Sequence, residues 1–183
     1  GEASRLGPLP CSKEILPLGT GNADDQVPRV MCDYVLDAFA AAGVRRVFVV
    51  VREGKWDIPA HYSQWPRDDV AIAYLVTSKT PGCPYTLDKA FPFLGDARVV
   101  LGFPDILFQP VNVYSAILDH QQHCGADVVL GLFPASEPRR MDMVCTDRQG
   151  NVLEILIKPP STTLTMTWAV AVWTASFTRF MHD

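Results

Sequence analysis

The sequence predicts an α/β protein: a three-layer sandwich built on an open, mostly parallel sheet, with one antiparallel hairpin attached. The run RRVFVVV at 45–51 is apolar and β-branched on successive positions, the pattern of a strand covered on both faces. Between residues 30 and 133 such runs alternate with stretches whose apolar residues recur at helical spacing, which calls for right-handed crossovers between parallel strands. The hairpin is read from MDMVCTD and VLEILIK, two extended runs flanking the turn RQGN.

From Val30 to Ala42 the apolar positions Val35, Leu36 and Phe39 fall on one helical face, Pro28 stands just ahead, and Gly43 can close the helix. The strand at 45–51 follows. VAIAYLV (70–76) reads as the next strand, TLDKAFPFL (86–94) as a helix interrupted by Pro92, and ARVVLGF (97–103) as a strand. A helix is expected from about Val111 to Cys124, with Gly125 behind it, and ADVVLGLF (126–133) is a further strand. After the hairpin come a strand in TMTWAVAVW and the start of a helix in ASFTRFMHD.

Composition narrows the function. With 183 residues, the chain is expected to form a single domain over 1–183. A net charge of −4, with the cations scattered, offers no basic stripe for a nucleic acid polymer, although a small nucleotide needs only a few. The five cysteines, Cys11, Cys32, Cys83, Cys124 and Cys145, are widely spaced without a CxxC pair, so neither a disulfide framework nor a zinc site is suggested. No apolar run approaches a membrane span, and a cytoplasmic setting is expected. His120 and His123 share a helix face but have no evident third ligand.

In open α/β sheets, ligands collect at the carboxyl ends of strands. The stretches to watch are therefore the opening GEASRLGPL with Lys13 before ILPL, the segment YLVTSKTPGCPYTLDKAFPFLGDARVVLGFPDILF, and IKP at 157–159. Together they resemble the sugar-phosphate nucleotidyltransferases, the NDP-sugar pyrophosphorylases, whose glycine loop G-x-G-T-R-L-x-P-L, base-contacting loop, metal-binding aspartate and E-K-P motif come in this order. The resemblance implies a Rossmann-like sheet of the nucleotide-diphospho-sugar transferase type. It implies transfer of a nucleoside monophosphate from a nucleoside triphosphate to a sugar 1-phosphate, with release of pyrophosphate. Arg5 and Lys13 would be catalytic, Gly1, Ser4, Thr77, Gly82 and Lys158 would bind substrate, and Asp105 would hold Mg²⁺. Such chemistry brings two polyanions together, so it needs cations at set positions and no side-chain nucleophile. Arg suits a bidentate grip on phosphate, Lys a point charge, and Mg²⁺ binds through one or two carboxylates plus substrate phosphates.

The chain departs from the family pattern in places. Glu2 and Ala3 replace positions in the glycine loop, Pro104 replaces the glycine before the metal aspartate, Ile157 replaces the Glu of E-K-P, and Thr77 stands where several members carry glutamine. The usual first strand and the C-terminal part are expected to be missing, leaving an unfilled sheet position and a tendency to form homo-oligomers. Taken alone, Arg5 and Lys13 read more readily as solvated charges, Asp105 as a turn residue and Lys158 as a strand-end charge. It is register with Gly1, Leu6 and Pro17 that favours a phosphate loop. Two readings follow: an active nucleotidyltransferase, or a catalytically degenerate nucleotide-binding or assembly module of the same fold.

Overall fold

The structure, a computed structural model, describes residues 7–20 and 27–183. A 3₁₀ turn at Lys13–Ile15 leads into a short antiparallel pair, β1 (Pro17–Thr20) and β2 (Pro28–Val30). Helix α1 (Met31–Ala41) starts where the Asp33 carboxylate reaches back to the Val30 amide at 2.8 Å, satisfying one of the donors left open at a helix start. Gly43, at φ +82, stops it in the left-handed conformation that glycine adopts at least cost. The next three elements, β3 (Arg46–Arg52), α2 (Asp57–Gln64) and β4 (Ala71–Thr77), form a parallel βαβ unit, paired from Arg46 opposite Ala71 to Arg52 opposite Thr77. Sequence patterning misses α2 because it buries only Ile58 and Tyr62, one turn apart, too thin a stripe to read.

The expected helix at 86–94 is replaced by a broken series: α3 (Cys83–Leu87), a 3₁₀ turn at Asp88–Ala90, and α4 (Phe91–Leu94). Pro92 sits in the first turn of α4, where its missing N–H breaks no intrahelical bond. Strand β5 (Val99–Leu101) is shorter than its apolar run. Then follow α5 (Val113–Cys124), closed by Gly125 at φ +68, β6 (Val128–Pro134), the hairpin β7 (Asp142–Thr146) and β8 (Val152–Ile157), β9 (Met166–Trp173), and α6 (Ala175–His182).

Strand order differs from a simple parallel succession. β9 runs antiparallel to its neighbours and lies between β5 and β6: Trp173 pairs with Val99 on one side and Val128 on the other. Near its start, Thr167 pairs with Phe133 of β6 and with Met143 of β7. β5 and β6 thus share a direction without touching, and among the described residues β3–β4 is the parallel pair. The most apolar strand takes the centre: Val170 and Val172 of β9 are fully buried, among Tyr114 and Ile117 of α5 and Val35, Leu36 and Phe39 of α1. Burial of such side chains contributes about 1.5–3 kcal/mol each.

Among the described residues β3–β4 is not hydrogen-bonded to the five-stranded sheet. A cavity of about 620 Å³ separates the two, lined by Val47 and Val49 of β3, Val99 and Leu101 of β5, and Leu36 and Phe39 of α1. Beside it, backbone and side chain come very close at Gly102. A Cβ there would lie 2.5 Å from the Tyr114 hydroxyl and from Val35 Cγ2. Gly102→Ala is therefore expected to destabilise by about 1–3 kcal/mol, the usual cost of overpacking, and a thermal melt equal to wild type would contradict this contact.

Candidate functional site

The site forms because one short 3₁₀ turn ties together the carboxyl ends of β3 and β5. Ser12 donates its backbone N–H to Asp57 Oδ2 at 2.6 Å and its hydroxyl to Oδ1 at 2.8 Å. Glu14 accepts from the Lys55 ammonium at both oxygens, each at 2.6 Å. Lys55 and Asp57 both follow β3. Between these anchors Lys13 turns the other way and pairs with Asp105, which follows β5. With about three residues per turn, successive side chains of such a helix leave in different directions, so a single turn can grip both strand ends. The bridge also shows that β3 and β5 point the same way.

The anchors and the Lys13–Asp105 pair differ in environment. The Glu14 and Lys55 side chains are largely buried and satisfy each other, which makes them a structural clamp. Burial works against ionisation of Asp57, yet the hydrogen bonds from Ser12 and from the first amides of α2 outweigh it and hold the carboxyl below its usual range. The stability this contributes is fully present above the ordinary carboxylate value of 3.8 and is lost as pH falls through the lower folded value. Amide protection at residues 12–15, taken relative to each amide's intrinsic exchange rate at that pH, is expected to fall below about pH 4 in wild type. In Asp57→Asn it should already be low at neutral pH. Equal protection in the two proteins would remove Asp57 as the anchor.

The turn carrying Asp105 is built by its neighbours. Ile106 N–H donates to Phe103 O at 3.2 Å, which makes Pro104 and Asp105 the central residues of a β-turn. Proline favours the first central position because its φ is preset there and no N–H is needed. Pro104, a departure from the family pattern, is thus the residue that shapes this turn. The Lys13 and Asp105 side chains remain open to solvent, 22% and 33% exposed.

The other sequence-derived site residues fall in three places. Gly1, Ser4 and Arg5 lie outside the described residues. Thr77 and Gly82 line a second cavity of about 410 Å³ at the carboxyl ends of β3 and β4, with Arg52, Lys79, Thr80 and Thr86. The Thr80 and Thr86 hydroxyls lie 2.5 Å apart, and each reaches Gly82 O at 3.2 Å. Gly82 precedes α3 in extended backbone that any residue adopts, and a Cβ would meet nothing nearer than 3.8 Å. Lys158 follows β8, is exposed, and has φ +44.

Topology sets Lys158 at the same sheet end as Asp105. Beyond Leu101, which pairs with Ala171, the β5 chain runs on toward the start of β9, where Phe103 packs its ring 5.7 Å from that of Trp168. Ile157, the residue before Lys158, lies opposite Asp142, and β7 joins β9 at Thr167. Lys13 and Asp105 are in direct contact, while Lys158 shares their end of the sheet from another strand.

Among the described residues no group of three or more His, Cys, Asp or Glu is arranged to hold a metal ion. Asp105 offers one carboxylate, which suits a Mg²⁺ that completes its shell with phosphate oxygens and water. Cys32 is no nucleophile: burial first, then the nearby Glu14 charge, pushes its thiol up to about 12. No helix among the described residues is long and apolar enough to cross a membrane.

No protein-family model matches the sequence, and no curated protein matches it. Solved structures do match. A Bacillus anthracis protein described as a glucose-1-phosphate thymidylyltransferase, in complex with sucrose, superposes with a TM-score of 0.82 at 17% identity, over 98% of this chain and 70% of that one. A UDP-glucose pyrophosphorylase complexed with UDP-glucose gives a TM-score of 0.79 at 11% identity, over 100% of this chain and 76% of that one. An apo UDP-glucose pyrophosphorylase gives 0.72 at 11% identity, over 92% and 71%. The chain has the fold of the sugar-phosphate nucleotidyltransferases.

Proposed function

We propose that the protein transfers a nucleoside monophosphate from a nucleoside triphosphate to a sugar 1-phosphate and releases pyrophosphate. The observation that carries this reading is the meeting of Lys13 and Asp105, far apart in sequence, at the carboxyl ends of β3 and β5 in a chain of this fold. A cation and a carboxylate side by side are what a magnesium triphosphate needs, the cation for phosphate oxygens and the carboxylate for the metal. Without ligand the two groups neutralise each other. With ligand, Lys13 turns to the leaving pyrophosphate and Asp105 holds Mg²⁺, which when bound spreads positive charge over the phosphate oxygens. Arg5, Gly1 and Ser4 cradle the triphosphate in this reading, and the cavity lined by Thr77 and Gly82 seats the base. Lys158 seats the sugar phosphate. Attack by the sugar phosphate oxygen on the α-phosphorus then depends on positioning and charge alone.

The two neighbours bound or named for glucose compounds make glucose 1-phosphate the first acceptor to try. Pyrophosphate release is measured with each common nucleoside triphosphate, for wild type and Arg5→Ala. Turnover in wild type and its loss in the variant support the reading; no nucleotide binding at all overturns it. A second reading, a binding or assembly module without turnover, would rest on Ile157, which is 77% exposed and apolar where the family motif carries a carboxylate. Nucleotide binding without pyrophosphate release would select that module. Either reading includes self-association through exposed apolar β8, and light scattering that finds only monomer would remove that part.

A further inference from the structure

Strand β3 pairs along one edge with β4, and β5 along one edge with β9. Each has a second edge, and among the described residues neither of these meets a strand. The two free edges face each other across the cavity of about 620 Å³. Its lining shows this: Arg45 to Val50 and Ala97 to Pro104 border it as unbroken runs, whereas a sheet face turns only every second side chain toward a neighbour. Backbone N–H and C=O groups of both strands therefore point into a space walled by apolar side chains, and such groups need partners. The two strands run the same way, and the turn at Lys13–Ile15 fastens their carboxyl ends, which sets the width of the slot there.

Charge narrows what fits. The charged residues that line the slot are Arg45, Arg46 and Arg98, all exposed cations at the amino ends of β3 and β5. Arg45 donates to the carbonyls of Ala40 and Val44. Arg46 and Arg98 make no hydrogen bond or ion pair among the described residues. A matching occupant needs hydrogen-bonding groups along both sides, apolar side chains, and negative charge at one end. A lipid chain has no such groups along its sides. A second copy of this chain has no strand to give, because each described strand is already paired and would have to leave its sheet. We propose that the slot takes up an extended apolar segment of another protein, with acidic residues at the end that reaches Arg46 and Arg98, as an added strand between β3 and β5. The proposal goes beyond the nucleotidyl transfer above and does not depend on it.

The test is calorimetric titration of the full chain with the peptide Asp-Asp-Val-Ile-Val-Val-Val, blocked at both ends, and with the same residues in reverse order. One of the two is expected to bind one to one. Lysines in place of the aspartates, or N-methylation of alternate amides, should weaken it by about tenfold or more, since the first opposes the arginines and the second removes the strand pairing. In the double variant Arg46→Glu, Arg98→Glu the preference between aspartate and lysine peptides should reverse. Amides at 47–50 and 99–101 should gain exchange protection when the peptide binds. Thermal melts show whether the double variant folds, and the N-methylated peptide on wild type needs no variant. Failure of both peptides to bind, equal binding after N-methylation, a charge preference that does not reverse in a folded double variant, or tighter binding of dodecanoate than of either peptide overturns the proposal. So does full exchange protection of both free edges before peptide is added, which would mean that the protein's own chain fills the slot.

Discussion

Tyr114→Ala is expected to lower the unfolding free energy by about 3–5 kcal/mol, the range for removing a large buried aromatic, and the melting temperature by on the order of 10 °C. Tyr114 is fully buried, its ring 4.9 Å from that of Phe39 in α1 and 5.6 Å from that of Phe108. Its hydroxyl donates to Leu101 O at 3.2 Å, where β5 ends. The residue thus packs α5 against α1 and pins the strand that delivers Asp105. Tyr114→Phe keeps the ring and loses the hydrogen bond, so about 1 kcal/mol is expected. Because Leu101 lies only four positions before Asp105, the alanine variant should also lose the proposed nucleotidyl transfer at temperatures where it is still folded. A calorimetric melt within 2 °C of wild type, roughly the effect of 1 kcal/mol in a chain of this size, would show that the core does not hinge on this ring.

Local pattern made the centres of most elements legible. β3, β4, β6 and β9 announce themselves by apolar, β-branched runs, and α1 and α5 by the glycines Gly43 and Gly125 behind them. Helix α2 and the β1–β2 pair bury too little to leave a pattern. Strand order was less accessible, since the place of β9 between β5 and β6 is decided by which strand has most apolar surface to bury, a comparison across the chain. Motif resemblance singled out Lys13 and Asp105 but could not anticipate their direct contact, nor the Ser12–Asp57 and Glu14–Lys55 anchors that hold Lys13 there. Pro104 shows in the sequence only as a departure from the family's glycine, whereas the structure makes it the turn former.

In the proposed nucleotidyl transfer, Asp105→Asn is expected to reduce turnover by on the order of a hundredfold or more, because a neutral amide would hold Mg²⁺ poorly where phosphate charge must be balanced. Stability should change by less than about 1 kcal/mol, since the Lys13–Asp105 pair is partly open to water. Lys13→Ala is expected to lower kcat while nucleotide affinity changes little, as its charge is needed most when pyrophosphate departs. Both variants leave open whether the pair matters as a bridge between strand ends or as separate groups for ligand. Exchanging the two, Lys13→Asp together with Asp105→Lys, separates these roles. The exchange keeps opposite charges face to face, so melting should stay near wild type, but it offers an ammonium to the metal and a carboxylate to the pyrophosphate. Turnover in the exchanged chain should therefore be as low as in Asp105→Asn, whereas recovery toward wild type would mean that the pair serves only to join β5 to the turn at Lys13–Ile15.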